Sequence, residues 1–480
     1  MRTLIVSANL EVTPDPVYPI GAAYVAAAVR EAGHEVDILD VVFVDDMQKA
    51  VGDKIASFEP EVVGVSIRNI DNVAYPLYLS YIDETKEIVA AIRSSFSGPL
   101  VLGGSGFTMM PVDMLTYVNE TTGIVGEGEE SMVRLLSALS ENGSLSDVPG
   151  LVVTENGELK INNPPRIIED FDRVPLPAGD LCDNAAYLKW GGMGSVQTKR
   201  GCPIGCIYCT YPVVEGKSIR LRDPVAVVDE MERSLDQWGV DTYFIVDSVF
   251  NNPPEHAREI AREIIKRGLT LRLSAYFSPA FIDEGLLEDL ARAGVTGVDL
   301  GADSLADPIL KRLGKNFTRK DVVDAVRMAK SVGIMTCLNI IFGAPGETKD
   351  TMKQTVDLLD ELQPTANHAM VGIRIFPGTG LQRLAIKEGM EGAKSIDLSP
   401  IFYIAPAVVD EAVEFVHECA VSRPYWIVPG QMVMAGQDFS GMLKPQRYDS
   451  GLGAPFRMQG IKGPLWEMMG KPPEGEKEGG

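Results

Sequence analysis

The sequence predicts an α/β protein: a doubly wound parallel sheet, then a partial (β/α)6 barrel, then a small irregular C-terminal domain. Three observations carry this. Short apolar runs alternate with amphipathic helical stretches in two separate series. A proline-punctuated stretch divides the series, and the regular pattern stops near residue 385. Strand–helix alternation buries strands on both faces, which is the pattern of parallel sheets covered by helices.

The first series fills residues 1–140. LIVSA (4–8) reads as the first strand, GAAYVAAAVREAG (21–33) as a helix ending at a glycine, and HEVDILDV (34–41), EVVGVSI (61–67), PLVLGG (99–104) and GIVGEG (123–128) as further strands. A Rossmann-like sheet of this kind binds ligands at the carboxyl ends of its strands. Residues 141–190 read as a linker with a hairpin, because Asn156-Gly157 separates two short extended runs and prolines follow at 164, 165, 175 and 177. The second series, 191–385, has strands at 195–199, 242–247, 271–277, 297–303, 335–343 and 369–376. Six βα units suit a partial barrel with its functional groups at the strand C-termini. Residues 386–480 are expected to cap the substrate site, with Phe402, Tyr403, Tyr425 and Trp426 as lining or core, and the tail 471–480 to be disordered.

Composition narrows the function. The 480 residues carry 44 Lys+Arg against 67 Asp+Glu, a net charge of −23, which argues against nucleic acid as a partner. No apolar run is long enough for a membrane span, and the N-terminus lacks a signal-peptide pattern, so a cytoplasmic location is expected. Six cysteines are too few for a disulfide scaffold. Cys337 reads as core, Cys182 and Cys419 have no cysteine nearby, and the other three lie together as Arg200-Gly-Cys202-Pro-Ile-Gly-Cys206-Ile-Tyr208-Cys209. Three thiolates can hold three irons of a [4Fe–4S] cubane and leave the fourth open. The alternative, zinc, wants a fourth Cys or a His, and neither lies nearby.

This C-x3-C-x2-C loop after the first barrel strand resembles the radical S-adenosylmethionine superfamily, over about residues 190–385. The resemblance implies that Tyr208 lies against the adenine, that Asp247 meets the methionine amino group, and that Ser304, in Gly301-Ala-Asp303-Ser304, binds ribose or carboxylate. It also implies that Pro345 and Gly346 of the G-x-P-G-E-T loop, and Arg374 of R-x-x-P-G-T, complete the S-adenosylmethionine site. The family's Gly-Gly-Glu after the second strand is absent, and Asp stands for Glu at 303.

Gly103-Gly104-Ser105 and Glu127-Gly128 follow strands of the first domain, and together with the linker FDRVPLP (171–177) they resemble the cobalamin-binding class of these enzymes, over about residues 1–390. That implies cobalamin at this sheet edge, near Ser66, Arg68 and Asn69. The D-x-H-x-x-G motif is missing, so cobalamin is expected without a histidine ligand. Arg68 offers cobalt no lone pair; its other reading is a surface ion pair with Asp71 or another carboxylate. The resemblance further implies an external electron donor of ferredoxin or flavodoxin type and a small-molecule, lipid or peptide substrate. The activity expected is radical C-methylation, with a non-methylating cyclase or a non-catalytic cobalamin or redox sensor as alternatives. The first domain lacks cysteines, which disfavours a methylthiotransferase.

Overall fold

A computed structural model describes residues 1–12, 15–141, 143–155, 158–439 and 462–470. The first sheet contains β1 (Arg2–Ser7), β2 (Glu35–Asp40), β3 (Val62–Ser66), β4 (Leu100–Gly103), β5 (Gly123–Ile124), β6 (Leu151–Glu155) and β7 (Glu158–Ile161), in the order β2-β1-β3-β4-β5-β6-β7. The first five are parallel. Chain order reverses between β1 and β3, so the loops leaving Ser7 and Ser66 diverge and open a crevice at that edge. The helix Ile20–Glu31 packs beside Gly128–Ser140, and Met47–Phe58 beside Ile82–Ser95, one pair on each face. Ala22, Ala23, Ala26, Ala27 and Ala28 are all buried, and their small side chains let the first helix lie close to the sheet.

The hairpin differs from a free linker. β6 pairs antiparallel with β5, and β7 with β6, so both strands extend the first sheet. Asn156 and Gly157 themselves lie outside the described residues. The remainder of the segment crosses to the second domain and buries Phe171 on the way.

The barrel strands are β8 (Gly194–Val196), followed by the short antiparallel pair β9 (Lys199–Arg200) and β10 (Arg220–Leu221), then β11 (Thr242–Ile245), β12 (Arg272–Phe277), β13 (Val295–Asp303), β14 (Met335–Phe342) and β15 (Ala366–Val371). β8 and β11–β15 run parallel in sequence order. The expected strand 369–376 is broken. Gly372 has φ +68°, and β16 (Ile373–Arg374) turns away to pair with β17 (Phe402–Tyr403).

The C-terminal region is not a separate domain. β18 (Trp426–Val428) joins β15 as a seventh parallel strand, and β19 (Val433–Met434) and β20 (Gln437–Asp438) continue the sheet antiparallel. Trp426 is fully buried and stacks on Phe342, with centroids 5.8 Å apart. Tyr403 and Tyr425 are core residues too. Only Phe402 keeps partial exposure, against Tyr75 of the first domain. The turn Leu465–Gly470 closes the N-terminal mouth of the barrel: Glu467 pairs with Arg272 and accepts from Ser274 Oγ at 2.9 Å, and Trp466 Nε1 donates to Asp299 at 3.2 Å. The expected disordered tail, 471–480, lies outside the described residues.

Trp426→Ala should cost about 3–5 kcal/mol, because the seventh strand loses the ring that anchors it on Phe342. A thermal unfolding midpoint equal to that of the parent would show that β18 is not part of the barrel core.

Candidate functional site

The two domains meet through buried charges. Arg200, at the end of β9, donates from Nη2 to Glu129 at 2.6 Å and lies 3.3 Å from Glu127. Its guanidinium faces the rings of Phe171 (4.4 Å) and Tyr24 (5.1 Å). Arg220, at the start of β10, donates to Glu127 at 2.7 Å and to the Ile168 carbonyl at 2.6 Å. Elsewhere on the interface Arg374 Nε donates to Asp71 at 3.1 Å, both residues being buried. The Arg374 guanidinium also lies over Phe376, and its Nη2 has no partner.

The cysteine loop grows directly out of this clamp. Gln197 Oε1 accepts from Arg200 Nε at 3.0 Å, and Glu215 accepts from Gln197 and from the Gly201 amide, so both ends of the loop are tied to Arg200. Gly201 has φ +87°, and a Cβ there would lie 2.0 Å from the Ser218 carbonyl. The middle of the loop is pinned by Ile207, whose amide donates to Leu313 O and whose carbonyl accepts from Leu381 N. Cys202 is buried, Cys206 and Cys209 half-buried, and all three are free thiols. Burial raises Cys206 and pushes Cys209 up to about 12, so a bound cation is needed to hold them as thiolates. Among the described residues no three His, Cys, Asp or Glu side chains converge on a point suited to a single metal ion. Cubane ligands need not converge, since each sulfur takes a different iron. Three thiols spread along a wrapped loop therefore fit the cluster.

Beside the thiols lies a polar group that the sequence reading only partly named. Tyr208 OH donates to Asp303 at 2.5 Å, and Lys315 Nζ sits 2.6 Å from the same carboxylate and 3.3 Å from the Gly301 carbonyl. Burial alone would lower Lys315, but Asp303 and Cys206 outweigh it and hold the ammonium above the usual lysine value. Asp303 has φ +60°, a strained conformation for a residue other than glycine. Lys315 carries no motif, and only the fold brings it here.

Other predicted residues are placed differently. Asp247 is fully buried; its carboxylate accepts from Thr198 N (2.8 Å), Thr198 Oγ1 (2.5 Å) and Lys199 N (3.3 Å), which ties the end of β11 to the residues that follow β8. Ser304 is buried, and its Oγ accepts from Ala306 N at 3.2 Å in the turn after β13. Pro345 and Gly346 form the turn before the helix Lys349–Leu362, with Glu347 accepting from the Gly343 and Ala344 amides inside it. Glu127 faces Arg220 and Arg200, away from the sheet edge, and Gly128 begins the helix packed on Val25.

At the crevice, Ser66 is half-buried, while Arg68, Asn69 and Ser105 are exposed. Ser105 Oγ donates to the Arg68 carbonyl at 2.8 Å. Gly103 and Gly104 end β4 beneath this loop, and a side chain at Gly104 would strike the Ile67 carbonyl. The expected alternative for Arg68 is not seen: Asp71 is taken by Arg374, and Arg68 makes no ion pair among the described residues. An exposed, uncompensated cation at the edge facing the barrel mouth fits a large polar ligand between the domains.

Comparison with known proteins agrees with this division. Residues 6–136 match the B12 binding domain, and residues 196–359 match the Radical SAM superfamily. The tryptophan 2-C-methyltransferase of Streptomyces laurentii is 29% identical over 448 residues, covering 79% of this chain and 74% of that protein. The anaerobic magnesium-protoporphyrin IX monomethyl ester cyclase of Rubrivivax gelatinosus is 28% identical over 370 residues, covering 73% of this chain and 64% of that one. Among solved structures, the radical S-adenosylmethionine methyltransferase TsrM of Kitasatospora setae, with cobalamin and a [4Fe–4S] cluster bound, superposes with a TM-score of 0.83 at 26% identity, covering 98% of this chain and 97% of that one.

Arg200→Met should leave Glu129 buried without its partner, at a cost of about 3–5 kcal/mol. Because Cys202 lies two residues away, the variant should also retain less iron than the parent after anaerobic reconstitution. A parent-like iron content together with a parent-like unfolding midpoint would mean that the clamp does not set the loop.

Proposed function

We propose, for a chain whose first domain belongs to the B12 binding family and whose second belongs to the Radical SAM superfamily, that it is a cobalamin-dependent methyltransferase acting on a carbon centre of a small molecule. The observation that carries this reading is the facing of two edges. The short helix Ser105–Met109, which follows β4 at the crevice, packs against the turn Tyr211–Val214 that follows the cysteine loop. The full-length likeness to methyltransferases supports it.

In this reading Cys202, Cys206 and Cys209 hold the cluster. Tyr208, Asp303 and Lys315 line the S-adenosylmethionine site beside it, and the Pro345–Gly346 turn shapes its rim. The unpaired Arg374 Nη2 offers a donor to a carboxylate or amide. Ser66, Arg68, Asn69, Gly103, Gly104 and Ser105 form the bed for cobalamin. When bound, the cluster and S-adenosylmethionine supply a hydrogen-abstracting radical, and cobalamin supplies the methyl group. The protein's own work is to hold the three groups at one closed interface and keep water out.

Cobalamin binds here in the histidine-off state. His34 precedes β2, at the opposite end of the sheet, next to the Met1 amine; His256 faces the Thr198 carbonyl; His417 lies near Asp438. His368 sits on β15, inside the barrel. Arg68 would face the bound cofactor with a positive charge and no lone pair to offer a metal. The enzyme is cytoplasmic, and a ferredoxin- or flavodoxin-type donor provides electrons. Among the described residues no helix is long and apolar enough to cross a membrane.

Replacing Cys202, Cys206 and Cys209 by Ala should remove the brown cluster absorbance and all 5′-deoxyadenosine release. With S-adenosylmethionine labelled in its methyl group and an extract of small metabolites, the parent should carry the label into a product. Radical cleavage with an unmethylated, rearranged product would instead favour cyclase chemistry.

Arg68→His should place a nitrogen ligand under the cobalt. Electron paramagnetic resonance of the cob(II)alamin form should then show nitrogen superhyperfine splitting in the variant and none in the parent. Identical spectra would mean that Arg68 does not face the metal.

A further inference from the structure

The cysteine loop is open to solvent on one side and bordered there by charge of one sign. Cys202 is buried, but Pro203 and Gly205 are exposed, so the stretch between the first two cysteines forms part of the molecular surface. Two helix ends grip the loop at Ile207. Its amide donates to the Leu313 carbonyl at 3.0 Å, and its carbonyl accepts from the Leu381 amide at 2.7 Å. The approach is close on both sides. A Cβ at Gly314 would lie 2.4 Å from the Gly205 carbonyl, and one at Gly380 would lie 3.0 Å from the Ile207 carbonyl. The end of the helix Asp307–Leu313 and the start of the helix Gly380–Lys387 therefore border the exposed stretch.

Both borders are basic. Lys311 and Arg312, in the last turn of the first helix, are exposed, whereas Ile309, Leu310 and Leu313 are buried. Arg312 runs along the Pro345–Gly346 turn, since a Cβ at Gly346 would lie 2.6 Å from its Cδ. On the second helix Arg383 and Lys387 stand four residues apart on one exposed face. Arg383 folds back toward the loop and donates to the Gly378 carbonyl at 3.0 Å. None of these four cations forms an ion pair among the described residues. Two acids share the segments. Asp307 stands at the far end of its helix and accepts from the Arg319 amide at 2.7 Å, and Glu388 accepts from Tyr403 OH at 2.7 Å. The excess is positive, on a chain whose net charge is −23. General repulsion holds an acidic protein off such a chain, and a local patch of opposite sign orients the encounters that do occur.

We propose that this patch is the docking surface for a small acidic electron-carrier protein, which passes one electron to the cluster across the exposed Pro203–Gly205 stretch. The carrier loses one electron and the cluster held by Cys202, Cys206 and Cys209 gains it; no bond forms or breaks. Redox encounters bury little surface and are brief, so a few charges beside the transfer point govern how often they form. The inference rests on the radical reading of the site, which calls for an external donor, and adds where that donor binds and what charge it carries.

Two readouts test it on the anaerobically reconstituted full chain: the affinity for flavodoxin, from quenching of its flavin fluorescence, and the rate at which flavodoxin hydroquinone bleaches the cluster absorbance. Lys311→Glu combined with Arg383→Glu should weaken binding and slow bleaching by roughly tenfold each at low salt. Added salt should weaken the parent complex and change the variant little. Lys86→Glu, on the helix Ile82–Ser95 of the first domain, should alter neither readout. The methyl viologen radical cation gains nothing from a positive patch, so it should reduce the cluster equally in every variant. Salt-independent binding by the parent, undiminished binding by the double variant, binding that never bleaches the cluster, or no binding by a protein whose cluster the viologen reduces would each overturn the proposal. The salt dependence is read on the parent, so a variant that fails to fold does not remove the test. The viologen also separates the two readings: a reduced cluster that releases no 5′-deoxyadenosine from S-adenosylmethionine counts against radical chemistry, and the docking result stands apart from it.

Discussion

The contact between Arg200 and the two glutamates of the first domain governs the geometry of everything above it. A guanidinium taken out of water loses several kcal/mol of hydration, and paired carboxylates only roughly offset this. Such a cluster adds little to stability against a well-packed apolar interface. What it imposes is register: Glu127 and Glu129 stand at the start of one helix, and Arg200 must reach both between the rings of Tyr24 and Phe171. Two residues further on is Cys202. A slip of one domain against the other would leave three charges unpaired and would move the cysteine loop. The position of the loop relative to the first sheet is therefore set by electrostatics rather than by a hinge.

A second fastening lies away from the first. Asp71 reaches Arg374, and the loop after it lays Leu77 N against Gly430 O and Tyr75 against Phe402. The crevice of the first sheet is enclosed between these fastenings. This explains why two motif positions, Glu127 and Arg374, turn out to carry interdomain bonds. A residue recurring at the rim of a shared site can act by holding the rim.

The sheets were legible in the sequence because βα alternation is a local signal. The break at Gly372 and the seventh strand were not. β18 is three residues long and exists because Trp426 finds Phe342, which lies 84 positions earlier. The hairpin was legible, but its pairing with β5 was not, since nothing in LVVTE names a partner. The cysteine loop was legible because three cysteines fall within eight positions. The partners of Asp247, Thr198 and Lys199, were not legible, because they follow the neighbouring strand and only the fold brings them together. His368 and Asn339 carry no motif, and their contact comes only from parallel register, which pairs them directly.

The substitution of aspartate at 303 shows how a departure from a pattern is absorbed. A carboxylate one methylene shorter reaches less far into a site. Here the left-handed backbone at Asp303 redirects the side chain toward Tyr208, and Lys315 spans the remaining distance to Cys206. The pair leaves the pocket near neutrality with both signs displayed. A ligand bringing its own carboxylate and amino group would meet a partner for each, with the lysine opposite the acid and the aspartate opposite the amine. A lone glutamate serves only one of the two. The shorter acid thus requires the lysine, and neither residue is explicable without the other.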